Sequence, residues 1–246
     1  HPHEERWMAA CIAGPALAPS EVRTLQSAPG VAELREGPAG ALTHLAQIEA
    51  IRRAVLGSGL PVLRDGRRRR PRPRLSFGPA ISVGYESHAE YFDMDLLSVC
   101  APEDVARGLS GSLGEGFHVR EVRRIPPFFP SLEATLNVVE YQVQGPFPAD
   151  AQEGLREFLG RREIVIEKVK DHGARIERVD ARPLIRAAAL AAPDRLELTL
   201  RFGPKRTLKP EAILRSWLGP LAPLSGFRIL RKELFSETAG GSLMRP

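Results

Sequence analysis

Two periodicities alternate along this chain, and their order limits what it can fold into. Leu196, Leu198 and Leu200 alternate with Glu197 and Thr199, the period-two pattern of a half-buried strand. Leu42, Leu45, Ile48, Ile51 and Val55 instead recur every three or four residues, which is one face of an amphipathic helix. From residue 31 onward the order reads as follows. A short strand spans 31–35, and a helix follows that stops at Gly57 or Gly59. Strands cover 74–83 and 89–97. A second helix opens at Pro102-Glu103-Asp104 and continues through Val105, Leu109 and Leu113. A fourth strand carries Phe117, Val119 and Val122 and breaks at Pro126-Pro127. This is β-α-β-β-α-β, the split βαβ unit of ferredoxin-like domains.

The order then repeats. A strand at 135–143 precedes a helix at 150–159 with Leu155, Phe158 and Leu159 inward, and a strand at 163–169 follows. After the alternating leucines, Pro210 and Glu211 open a helix carrying Ile213, Leu214, Trp217 and Leu218. Phe227 and Ile229 begin the last strand. Residues 180–189 read as an extra segment in which Asp180 caps a short helix over 183–190. The expected architecture is α+β: two tandem ferredoxin-like halves, with helices on one face of each antiparallel sheet. The first half takes 31–130 and the second 131–246. Residues 1–30 fit no element pattern and read as an N-terminal extension, either packed on the body or belonging to an upstream domain. The chain begins with His1, so a start that is missing, processed or cut from a longer chain is expected.

Composition removes several function classes. Two cysteines, Cys11 and Cys100, are too few for a disulfide framework or for the three-cysteine cluster of a radical SAM enzyme. No set of His, Cys and acidic residues shows metal-ligand spacing, so neither metal nor cofactor is expected. No Gly-rich phosphate loop or Gly-x-Ser-x-Gly elbow is present. No apolar run reaches membrane-span length and no signal peptide is visible, which makes the cytoplasm the expected compartment and a membrane partner unexpected.

The net charge of +5 is modest, but it is concentrated. Arg64, Arg67, Arg68, Arg69, Arg70, Arg72 and Arg74 crowd one short segment, stiffened by Pro71 and Pro73. Guanidinium forks bind phosphate bidentately, so this segment is a candidate RNA or phosphate contact; the plainer reading is a solvated loop in an arginine-rich protein. Glu90, Asp93 and Asp95, with Glu86, form an acidic group on the following strand. Alternation puts Asp93 and Asp95 on one face with Tyr91. An ion network with the preceding arginines is the favoured reading, and cation binding or substrate orientation the alternative. Arg182, beside Pro183, is a further candidate binding residue. His44 is a weak candidate for catalysis, more simply explained as a helix-terminal side chain hydrogen-bonded to a loop.

Four stretches resemble the bacterial family of radical-SAM-linked proteins, a domain of unknown function numbered 2344. Thr43-His44-Leu45 is similar to its Ser-His-Leu-Asp motif. The longest match runs from Pro71-Arg72-Pro73-Arg74 through Leu75-Ser76-Phe77-Gly78-Pro79-Ala80 to Ala89-Glu90-Tyr91. Pro130-Ser131-Leu132 and Asp180-Ala181-Arg182-Pro183-Leu184-Ile185 match weaker motifs. Two departures stand out. Ala46 stands where the family has aspartate, and Gly66 leads into four arginines where the family has Gly-Phe-Asn or Gly-Phe-His. The resemblance implies an accessory role beside a radical SAM protein, without implying a reaction. The expected function is therefore a non-catalytic partner that presents RNA or another anionic substrate through its basic surface. The alternatives are an RNA-processing or RNA-modifying enzyme using His44 with Arg72 and Arg74, and a purely structural docking partner.

Overall fold

The computed structural model describes residues 5–13, 42–66, 71–126, 128–170, 175–204 and 206–246. The fold is α+β, with multi-stranded antiparallel sheet and several helices, and it divides into two compact units, His1–Leu136 and Asn137–Pro246. Among the described residues, no helix is long and apolar enough to cross a membrane.

In the first unit, β1 (Glu5–Ala13) is followed by α1 (His44–Gly57). The short strands β2 (Arg64–Asp65), β3 (Arg72–Pro73) and β4 (Leu75–Phe77) come next. Then come β5 (Glu86–Leu96), α2 (Pro102–Ser110), β6 (Phe117–Ile125) and the single-turn α3 (Leu132–Thr135). The sheet order is β4-β5-β1-β6, every pair antiparallel. Phe92, Met94 and Leu96 occupy alternate positions of β5 and meet Ile51 and Val55 of α1 and Val105 and Leu109 of α2 in one core. Each such side chain contributes roughly 1.5–3 kcal/mol by leaving water. Thr43 caps α1 by accepting from the Ala46 N–H at 3.3 Å. Pro102 and the acids Glu103 and Asp104 start α2.

In the second unit, β7 (Val138–Gln144) and α4 (Ala151–Gly160) lead into a hairpin, β8 (Val165–Lys170) with β9 (Arg175–Asp180), which stands as its own two-stranded sheet. A 3-10 turn (Arg182–Leu184) enters β10 (Ile185–Ala192). Next are β11 (Arg195–Arg201), α5 (Pro210–Leu218), β12 (Arg228–Glu237) and the short β13 (Leu243–Met244) beside β12. The order is β10-β11-β7-β12, again antiparallel throughout. Leu196, Leu198 and Leu200 are fully buried, paired in register with Val143, Tyr141 and Val139.

Several expectations need correction. Residues 5–13, expected in a patternless extension, form β1, which lies between β5 and β6. Its apolar run (Trp7 to Ala13) carries no alternation, which hid it as a strand. The expected strand at 31–35 lies outside the described residues. The strand expected at 74–83 ends at Phe77. Residues 183–190 are not a helix: after the 3-10 turn they enter β10, where pairing with β11 overrides the helical preference of its alanines. The strand expected at 163–169 belongs to the separate hairpin, and β9 was not legible. Leu45, expected on the buried face of α1, is 77% exposed; Gln47, Ile51, Ala54 and Val55 form that face instead.

Candidate functional site

The arginine segment is held by a short hairpin. Arg64 and Asp65 of β2 pair with Pro73 and Arg72 of β3. The Leu63 N–H donates to the Asp95 carbonyl at 2.8 Å, and the Arg74 N–H donates to the Leu63 carbonyl at 2.9 Å. The hairpin is thereby moored to β5. Arg64 and Arg72 are exposed, and among the described residues neither has an ion pair. Arg67, Arg68, Arg69 and Arg70 lie outside the described residues.

The acidic residues divide between the faces of β5. Its even positions, Phe92, Met94 and Leu96, face the helices, so Asp93 and Asp95 lie on the opposite face. Arg74 bridges Asp95, Nε to Oδ2, at 2.9 Å. Asp93 does not take its cation from the arginine segment. It is paired through Oδ2 with Arg6 of β1, whose Nη1 also donates to the Phe129 carbonyl at 2.6 Å. The other Asp93 oxygen is buried and has no hydrogen-bond partner among the described residues. Burial pushes the Asp93 carboxyl above its usual range, against the lowering effect of Arg6, and the negative charge of Asp95 adds to the rise.

Glu90 belongs to the helix-facing side. It is buried and accepts from Gln47 Nε2 of α1 at 3.1 Å. His44 lies one turn before Gln47, half-buried, and its Nδ1 is buried without a partner among the described residues. Arg182 lies in the second unit. Its N–H donates to Asp180 Oδ1 at 2.9 Å, and the same oxygen accepts from the Ile164 N–H at 3.0 Å. Asp180 therefore ties the start of β8 to the 3-10 turn, and Arg182 is a turn residue apart from the arginine hairpin.

One cluster escaped sequence reading. Glu237 at the end of β12 receives Arg201 Nε at 2.7 Å and Arg201 Nη2 at 2.9 Å, with Arg186 Nε at 3.0 Å. These three donors, those of Arg201 first, hold its carboxyl at about 2. No sequence signal links residues on three different strands. Arg6 was illegible as the partner of Asp93 for the same reason.

Among the described residues no group of three or more His, Cys, Asp and Glu side chains could hold a metal ion. The arrangement offers exposed guanidinium groups on a moored hairpin, with Asp95 paired to Arg74 and Asp93 to Arg6. That suits binding of an anion. No curated protein matches the chain. The family model described as "uncharacterized protein conserved in bacteria", DUF2344, matches residues 34–210, well over half of the chain, and this protein belongs to that family.

Proposed function

We propose that this protein is a non-catalytic, cytoplasmic accessory partner of a radical SAM enzyme that presents RNA, or another anionic substrate, through the arginine hairpin. The observation that carries this reading is the hairpin itself. Arg64 and Arg72 stand exposed without ion pairs among the described residues, on strands that flank Arg67, Arg68, Arg69 and Arg70. Arginines left without internal carboxylates attract phosphate, with an affinity that falls as salt displaces the contact. The link to a radical SAM enzyme rests on the resemblance of the motifs around His44, Pro71–Ala80 and Asp180–Ile185.

We also read each unit as a ferredoxin-like half, the second with the β8–β9 hairpin inserted. In support, each sheet runs second strand, third, first, fourth, once β1 and β7 are taken as first strands and β4 and β10 as second. RNA-handling proteins use such duplicated sheets, though a shared architecture is a weak guide to ligand.

The test is a titration against total cellular RNA at two salt concentrations, beside a variant with Arg67, Arg68, Arg69 and Arg70 all changed to Ala. The expected result is binding that weakens with salt and is lost in the variant. Absence of binding in the wild type overturns RNA presentation and leaves the hairpin as a protein-docking patch. A second reading, catalysis on RNA, is favoured by the Nδ1 of His44, buried without a partner among the described residues. It requires that His44→Ala abolish turnover of bound RNA while leaving RNA affinity unchanged.

A further inference from the structure

Apart from the arginine hairpin, the second unit holds a groove of about 870 Å³ between the β8–β9 hairpin and α5. We infer that this groove binds an extended, acidic peptide segment of a partner protein, which adds as a strand to the free edge of β8.

The wall formed by β8 comprises four consecutive residues, Val165 to Lys168. Successive side chains of a strand point to opposite faces, so four in a row can line one groove only if the strand's edge forms the wall. The hydrogen-bond pattern agrees. The Ala181 N–H donates to the Ile164 carbonyl at 2.7 Å, which marks 164 and 181 as a hydrogen-bonded pair. The register continues with Ile166 opposite Val179 and Lys168 opposite Glu177. In an antiparallel ladder bonded pairs alternate, so Ile166 and Lys168 turn their backbone groups toward β9. Val165 and Glu167 turn their N–H and C=O groups away from it, toward the groove. Among the described residues β8 has β9 as its one strand neighbour.

The opposite wall is one face of α5, with Glu211, Ala212, Arg215 and Ser216 at helical spacing. A strand edge facing a helix is the geometry in which peptides bind by strand addition: the backbone supplies affinity and the flanking side chains choose the sequence.

Charge selects the class of peptide. Glu167 is already paired with Arg178 at 3.0 Å, and Lys168 Nζ donates to the Thr207 carbonyl at 2.5 Å. Lys209 and Arg215 are exposed on the rim and, among the described residues, have no ion pair. The rim thus presents two uncommitted cations to whatever lies along β8. Between them the lining is apolar at Val165, Ile166, Ala212 and Pro220 and, among the described residues, holds no aromatic ring on which a nucleic-acid base would stack. A strand alternating acidic and apolar side chains meets both demands.

The probe is a fluorescently labelled, end-blocked decapeptide alternating Glu and Val, with its Lys-Val counterpart as control, read by anisotropy against the full chain. The Glu-Val peptide binds and the Lys-Val peptide does not. Glu167→Pro removes an edge N–H that the β8–β9 ladder does not use, so the fold persists by circular dichroism while binding falls at least about tenfold. Glu167→Ala, which loses only the surface ion pair with Arg178, keeps the affinity. Joint reversal of Lys209 and Arg215 to Glu abolishes binding. The variant with Arg67, Arg68, Arg69 and Arg70 changed to Ala binds the peptide normally, so this test and that of RNA presentation fail separately. The proposal is overturned by absence of Glu-Val binding, by equal binding to the folded Glu167→Pro variant, or by a self-associated wild type that Glu167→Pro makes monomeric, which would make a second copy of the chain the occupant.

Discussion

Asp93 and Glu237 are both carboxylates met by arginine on sheet strands, yet their surroundings push them in opposite directions. Asp93 keeps 3% of its side chain exposed and, among the described residues, has one cation, Arg6, and one oxygen buried without a partner. Desolvation wins there and the carboxyl rises. Glu237 keeps 13% exposed and receives three guanidinium N–H donors from Arg201 and Arg186. Hydrogen bonding wins and the carboxyl falls to about 2. At Asp93 desolvation outweighs one arginine, whereas at Glu237 the donors of two arginines outweigh desolvation.

The sharpest way to break the comparison is to delete each acid. Asp93→Ala leaves the Arg6 guanidinium in a largely dry site with, among the described residues, the Phe129 carbonyl alone, and it is expected to cost about 3 kcal/mol in urea unfolding. Glu237→Gln removes the charge from a cluster whose arginines are 29% and 42% exposed and rehydrate readily. Its cost is expected to be smaller, about 1.5 kcal/mol. Equal costs would mean that exposure of the arginines does not matter here.

The pH dependence separates the two further. The Glu237 carboxyl lies below its ordinary 4.5 in the folded protein. Its stabilisation is therefore complete above about 4.5 and lost as pH falls toward about 2. The wild type's advantage over Glu237→Gln should shrink through that window. The Asp93 carboxyl is raised above 3.8, so its contribution is present at low pH and lost as pH rises through the folded value. The stability of Asp93→Asn relative to wild type should accordingly improve with rising pH. Urea midpoints at stepped pH values read both trends, and parallel trends would refute the contrast.

How much of this was legible depended on whether the signal was local. The strand β11 and the starts of α2 and α5 announce themselves through Leu196, Leu198 and Leu200, and through Pro102 and Pro210, because alternation and N-terminal proline act within a few residues. By contrast, β1 and β10 were hidden. Trp7-Met8-Ala9-Ala10 shows no period, and Ala187-Ala188-Ala189 favours helix until β11 pairs with it. For the candidate site, the arginine run was plain, and the face shared by Asp93 and Asp95 followed from alternation. Asp95 meets Arg74, one of the preceding arginines, but the partner of Asp93 was not legible. Arg6 reaches Asp93, and Arg186 and Arg201 reach Glu237, only through strand pairings that no local pattern encodes.

The smallest expected effect is at Arg74, the residue that joins the arginine segment to the acidic face. Its side chain is 63% exposed, so its bridge to Asp95 works through water-screened charge. Arg74→Ala should cost no more than about 0.5 kcal/mol. The substitution nonetheless withdraws a positive charge from beside Asp95, and the charge of Asp95 is one of the influences that raise Asp93. A carbon-detected NMR titration of the Asp93 carboxyl should therefore show a further rise in Arg74→Ala, even where urea unfolding barely moves. A large stability loss without that rise would mean that Arg74 holds the β2–β3 hairpin in place mechanically. A rise with little loss would mean that the arginine hairpin tunes the buried pair through its field, so that an anion bound on the hairpin would be felt at Asp93.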